Sequence, residues 1–254
     1  MRVLVVTAVA AERDAVTAAA AGPPAPLALP GGAELRRVTL SGAGAKAVVD
    51  VLAAGVGPAA AAAGTATALT AAALGSSGDA YDLVISAGIG GGFVPGEAVG
   101  VPYADGAPVG SVVVAEEITA ADLGAETGEG FVPVTGLGFG TVTHRPPPAL
   151  VRAVARATGA ACGTVLTVST VTGSAGRAAE LARRHPRALA EAMEGFGVAE
   201  AAAAHGVPVL EIRTVSNPVG PRDRAAWRIG DALGALSAAF AALPGALTSG
   251  GRHE

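Results

Sequence analysis

Three polar side chains stand where apolar runs of this chain end. Glu12 comes just after the run 2–7, Glu194 closes the run that begins at 188, and Asn217 ends "LEIRTVSN". In open α/β sheets ligands gather outside the carboxyl ends of strands, so these positions describe a candidate pocket rim. A carboxylate there suits general acid–base work or the stabilisation of a developing positive charge. An amide brings two donors and one acceptor without charge. A fourth feature, "SAGIGGGF" (86–93), follows a strand directly and carries four glycines that let backbone approach a ligand. Each has a plainer alternative. Glu194 would favour a helix N-terminus through the dipole, and the glycines would serve a tight turn. In a chain with only 15% charged residues, the crowding of Arg222, Asp223 and Arg224 after Asn217 also needs an explanation beyond loop chemistry.

Other chemistries find little support. "GAGAKA" (42–47) and "GVGPAA" (55–60) fit G-x-G-x-x-A, but a dinucleotide site needs an acid closing the next strand. The nearest acids after Gly55, Asp79 and Asp82, precede their strand. Lys46 is the one lysine and is followed by Ala47, so no phosphate-binding P-loop is present. No G-x-S-x-G or H-E-x-x-H occurs. Cys162 is alone, and His144, His185, His205 and His253 fall at helix ends, in loops or in the tail. The expectation is no metal and no cofactor.

Short β-branched runs alternate with Ala-rich helical ones, which predicts an α/β fold. Strands are expected at 2–7, 35–41, 48–53, 82–87, 111–118, 163–170, 188–193 and 207–215. Helices are expected at 11–20, 58–74, 147–158, 175–185, 195–205 and 223–243, with Ser174 and Asp223 as N-caps and Gly206 ending its helix. The Pro/Gly-rich stretches 21–32 and 95–110 read as surface excursions. A single domain over 1–243 is expected, with a loose tail at 244–254.

Composition narrows the partners. Hydrophobic residues make up 51% of the 254, aromatics only 3%, and the formal charge is −4 with a pI of about 5.6. That balance argues against nucleic acid or an anionic membrane, and the scarcity of aromatics against base-stacking platforms. The 17-residue segment 58–74 is Ala- and Thr-rich, which suits a buried helix rather than a span. One cysteine suits a reducing cytoplasm.

Taken together, "VTAVAAERDAV", "SAGIGGGF", "VSTVTGSAGRAAELARRHPRALAEAMEGFGVAEAAAAHGVP" and "IRTVSNPVGPRDRAAW" resemble the nucleoside phosphorylase/nucleosidase superfamily from the first strand to about residue 240. The resemblance implies a mixed twisted sheet flanked by helices, nucleoside phosphorylase-like, acting on a small-molecule nucleoside as a homodimer or higher homo-oligomer. It implies cleavage of an N-glycosidic bond through an oxocarbenium-like transition state. By motif, Glu12 would orient and deprotonate water, Glu194 would accept from the ribose hydroxyls, and Met193 would pack against the sugar. Gly90 and Gly91 would offer backbone, and Val171 and Thr172 would border the purine, with Val171 replacing an aromatic for which Phe93 or Phe196 would substitute unless both are core. Phosphorylases of the superfamily hold phosphate with an arginine beside the glycine segment. That segment has none here, so water is the expected nucleophile.

Ser216-Asn217 falls at the base reader, where adenine-cleaving relatives carry an aspartate. The amide fits a 6-oxopurine better, and Arg222 and Arg224 would suit a carboxylate on the 5′ side of the nucleoside. Alternatively, one of them pairs with Asp223 and the other is solvated. Trp227 is either a lid or a helix anchor. The competing functions are an adenine-releasing nucleosidase, a phosphorylase and a non-catalytic nucleotide-binding module.

Overall fold

The computed structural model of the chain describes residues 1–75, 80–94 and 106–250. In chain order these form β1 (Arg2–Thr7), α1 (Ala10–Thr17), β2 (Ala25–Ala28), β3 (Glu34–Gly42), β4 (Ala45–Ala53), α2 (Pro58–Leu74) and β5 (Leu83–Gly92). There follow β6 (Val112–Ala120), β7 (Gly124–Thr127), β8 (Gly130–Pro133), β9 (Thr143–His144), α3 (Pro148–Thr158) and β10 (Ala161–Thr167). The chain closes with α4 (Ala175–Arg184), β11 (Ala188–Ala192), α5 (Gly195–Ala204), β12 (Val209–Pro218) and α6 (Ile229–Gly250).

The sheet is mixed, in the order β11-β10-β6-β12-β5-β1-β4-β3-β2, and helices cover both faces. β1 shows why. Its residues are apolar in succession, with Leu4 and Val6 packing toward α2 and α5 while Val3 and Val5 pack toward α3 and α6. A strand buried on both sides reads as a continuous apolar run, as this one does. β11 also bonds back to β5, through Ala190↔Gly92 and Glu191↔Gly91, so β5, β12, β6, β10 and β11 close into a small ring. This closure explains the glycines of "SAGIGGGF". They are not a loop after the strand but its continuation. A Cβ on Gly90 would stand 2.7 Å from the Glu191 carbonyl oxygen, and one on Gly92 would collide with the Ala107 carbonyl.

Several expectations are corrected. "GAGAKA" spans the two-residue turn between β3 and β4, with Ala43 (φ 49°) and Gly44 (φ 74°) both in the left-handed region that such a hairpin demands. The stretch 21–32 contains the edge strand β2, and the β7–β8 hairpin and β9 also escaped the sequence reading. None of them is long or alternating enough to announce itself. Most of 95–110 lies outside the described residues, as does His253. The tail is not loose from residue 244, since α6 runs past Pro244 to Gly250. Ala246 and Leu247 extend its inner stripe of Leu236, Phe240 and Leu243. α6 is long and apolar enough to cross a membrane by length and composition, yet this stripe belongs to the core. Ser174 caps α4 as expected, whereas Asp223 caps a short 3-10 turn at Arg224–Ala226 rather than α6.

Candidate active site

The carboxyl ends of β1, β5, β11 and β12 open into one cavity of about 500 Å³. Glu12, Glu194 and Asn217 line it, together with Gly90, Gly91, Val171, Thr172, Met193, Ser216, Arg222 and Arg224. The fold therefore brings all eleven residues singled out in the sequence to one place.

Glu12 lies in the first turn of α1 and is 4% exposed. Its Oε2 accepts from the backbone N–H groups of Ala8 (2.9 Å) and Val9 (3.3 Å), which the helix start leaves unpaired. Its Oε1 accepts from Ile89 N–H at 2.9 Å, so the carboxylate is pinned between α1 and β5. Glu194 precedes α5 but makes no side-chain bond to that helix. Its Oε1 accepts from Gly57 N–H at 3.3 Å, and its Oε2 accepts from Met193 N–H and Arg213 Nη1, each at 3.3 Å. Helix capping is thus not the work of this carboxylate.

Two charges that the sequence reading passed over join these acids. Arg213 is 1% exposed and Glu211 0%, two residues apart on one face of β12. Arg213 donates through Nε to Glu211 Oε1 (2.8 Å), through Nη1 to Glu194, and through Nη2 to Ser86 Oγ (2.8 Å). Burial works against its charge, but Glu211, Glu194 and Glu12 outweigh it and hold the guanidinium pKa above its ordinary value. Burial conversely pushes Glu211 up, and only Arg213 opposes it. The signal was present in "LEIRT", where two charges interrupt a run otherwise fit for a core, and an unpaired charge does not survive there.

Arg213 also corrects the expectation that no arginine stands beside the glycine segment. Its Nη1 would be 2.8 Å from a Cβ on Gly88, and Glu12 Oε1 2.5 Å. The guanidinium is nonetheless committed to two glutamates and a serine, and the cluster carries three carboxylates against one cation. A phosphate would meet net negative charge. Gly88 is what allows Glu12 and Arg213 to converge, so Gly88→Ala should force them apart and lower kcat/KM at least about tenfold, the equivalent of about 1.4 kcal/mol in barrier. Steady-state kinetics beside a thermal melt would check this, with the loss exceeding any change in folded fraction.

Asn217 is the penultimate residue of β12, with its amide orientation set by its neighbours. Ser216 Oγ donates to Oδ1 at 2.8 Å, and Nδ2 donates to the Pro218 carbonyl at 2.9 Å. A carbonyl only accepts, so the nitrogen must lie on that side, and its second N–H remains for a ligand. Trp227 borders the cavity with the guanidinium carbons of Arg222 and Arg224 at 5.3 and 5.7 Å from its ring centre. Asp223 accepts from Ala225 N–H at 3.2 Å and forms an ion pair with neither arginine among the described residues. Phe93 and Phe196 are core residues, 1% and 7% exposed, and do not line the cavity. The wall at Val171 is therefore aliphatic. Among the described residues no histidine lines the cavity, and no cluster of metal-binding side chains is found.

The mixed sheet with its closed ring and the acid-rich cavity at its strand ends define a class. The Phosphorylase superfamily matches residues 2–246, and the chain belongs to it. Within that superfamily the chain is 64% identical to the futalosine hydrolase of Streptomyces coelicolor over 254 residues, the whole of both chains. It is 44% identical to the futalosine hydrolase of Acidothermus cellulolyticus, covering 99% of this chain and 93% of that one. Among solved structures, the 5'-methylthioadenosine/S-adenosylhomocysteine nucleosidase of Neisseria meningitidis shares the fold, with a TM-score of 0.73 and 21% identity. The match covers 95% of this chain and 97% of that one.

Proposed function

We propose that this chain hydrolyses the N-glycosidic bond of futalosine, releasing hypoxanthine and dehypoxanthine futalosine in the futalosine route to menaquinone. The observation that carries the reading is the meeting of Glu12 and Glu194, the latter bonded to the buried Arg213, in one cavity with an amide, not a carboxylate, at Asn217. The full-length likeness to a futalosine hydrolase supports it. The bond from the sugar C1′ to the purine nitrogen breaks with its electrons going to the base. Water adds its oxygen to C1′, and its protons end on the sugar hydroxyl and on hypoxanthine. Glu12 takes the proton of the attacking water. Glu194 grips the ribose hydroxyls and faces the positive charge that develops on the ring, with Met193 packed on the sugar.

The free N–H of Asn217 donates to the 6-oxo group or N7 of the purine. Arg222 and Arg224, exposed beside Trp227, take the carboxylate on the 5′ side. Incubation with futalosine, inosine and methylthioadenosine, with and without phosphate, tests the reading. Hypoxanthine release from futalosine at a rate indifferent to phosphate is the expected result, and adenine release in preference would overturn it. The superfamily likeness also supports a homodimer or larger homo-oligomer, which light scattering would determine, and the single cysteine, Cys162, suits a reducing cytoplasm.

Asn217→Asp should invert the base preference. An ionised aspartate loses the donor and repels the 6-oxo oxygen, which costs futalosine cleavage about 1–3 kcal/mol. The same carboxylate accepts from the amino group of adenine, and the fraction that carries a proton delivers it to N7, so methylthioadenosine cleavage should improve. The ratio of kcat/KM for the two substrates at neutral pH is the measurement, and an unchanged ratio would remove Asn217 from the base.

A further inference from the structure

Glu191 lines the same cavity, is 5% exposed and has no part in the chemistry described above. It is not a charge held by an opposite charge. Its Oε1 accepts from Thr172 N–H at 2.8 Å and its Oε2 from Thr172 Oγ1 at 2.5 Å. Burial pushes the carboxyl pKa up, while the two Thr172 bonds pull the other way by favouring the form that only accepts. Each oxygen of the group keeps a further lone pair, so Glu191 offers accepting capacity to the cavity.

Its position relative to Asn217 gives that capacity a use. In the ring of strands, β11 pairs with β5 through Glu191↔Gly91, and β12 pairs with β5 through Asn217↔Gly91. Glu191, Gly91 and Asn217 therefore form one row across three strands, with the central side chain missing. The outer two residues sit about 10 Å apart, two strand spacings. A Cβ on Gly91 would stand 3.4 Å from Asn217 Nδ2, so the amide already leans over the gap. The row thus places a donor on one side of a space lined by glycine and an acceptor on the other. A 6-oxopurine presents the complementary pair on one edge, an oxygen at C6 that accepts and an N1–H that donates. A 6-aminopurine presents the reverse, an amino group at C6 and a bare N1.

We propose that Glu191 is a specificity-determining residue that accepts the N1–H of a 6-oxopurine, so that Glu191 and Asn217 together read both polar groups of one base edge. The inference rests on the reading of the cavity as a purine nucleoside site. It accounts for a buried acid that the hydrolytic steps leave unused, and for why Thr172, beside the base, spends both its donors on that acid. Against an adenine, Glu191 would oppose N1 with a carboxylate, acceptor facing acceptor.

The test compares two free bases, hypoxanthine and 6-methoxypurine, which keeps an oxygen at C6 but has no hydrogen on N1. Binding of both is measured by calorimetry to the wild-type chain, to Glu191→Gln and to Glu191→Ala, each checked for folding by thermal melt. Wild type should prefer hypoxanthine by more than about tenfold, and that preference should fall by about tenfold in Glu191→Ala and by a smaller factor in Glu191→Gln. If Glu191 only anchors Thr172, the variants will weaken both bases by the same factor and the ratio will not move, which overturns the proposal. A wild-type chain that cleaves hypoxanthine nucleosides yet binds both bases equally also overturns it while leaving the proposed function standing. A wild-type chain that releases no hypoxanthine overturns both.

Discussion

Glu12→Gln should retain binding of the nucleoside and lose about 10²–10⁴ in kcat, the usual worth of a positioned general base. The amide keeps the length and shape of the side chain but has no basic oxygen to take the proton of water. The surroundings sharpen the effect. All three hydrogen bonds to this side chain come from backbone N–H groups, two to Oε2 and one to Oε1. A glutamine must set its NH2 against one of these donors, so some loss of stability, about 1–3 kcal/mol, accompanies the loss of turnover. Binding of hypoxanthine to the variant, measured apart from catalysis, separates the two effects. A variant that kept more than about a tenth of wild-type kcat would exclude Glu12 as the base.

The second large effect is expected from Glu194→Ala, with kcat/KM falling by about 10²–10³, the scale on which a preorganised electrostatic partner of the transition state acts. On the proposed function the substitution removes both the grip on the ribose hydroxyls and a negative charge facing the oxocarbenium-like ring. Arg213 does not become a stranded cation, because Glu211 still holds its Nε at 2.8 Å. The fold should therefore survive, and a thermal melt checks that. A substrate lacking the 2′-hydroxyl provides the specific test. Its removal should slow the wild type far more than the variant, and equal sensitivity in both would place Glu194 away from the sugar.

The interest of Arg213 extends beyond either variant. One buried guanidinium, bonded to Glu211, Glu194 and Ser86 and close to Glu12, ties the acids of the site together. Such an arrangement is weak as a source of stability, because desolvation offsets much of the attraction, but breaking it is costly. Three acids, Glu12, Glu194 and Glu211, surround this one buried guanidinium, which disfavours an anion beside Gly88.

Much of this protein is legible from its sequence alone. The alternation of β-branched and Ala-rich runs carries the α/β class, because burial on two faces demands apolar residues in succession, as in β1. Glu12, Glu194 and Asn217 stand out because polar groups at the ends of apolar runs are unusual enough to require a purpose. The limits of the reading are those of local pattern. Edge elements such as β2 and the β7–β8 hairpin bury too little to impose a period, and α6 passes Pro244 only because Ala246 and Leu247 have a core to enter. What only the tertiary structure decided is pairing. Whether Glu211 and Arg213 are neighbours of Glu194, whether "SAGIGGGF" is a loop or a strand, and whether Glu191 and Asn217 share a row through Gly91 all depend on contacts between residues far apart in the chain. A buried charge is tolerated only beside its partner, and that partner is chosen by the closing of the sheet rather than by any neighbour in sequence.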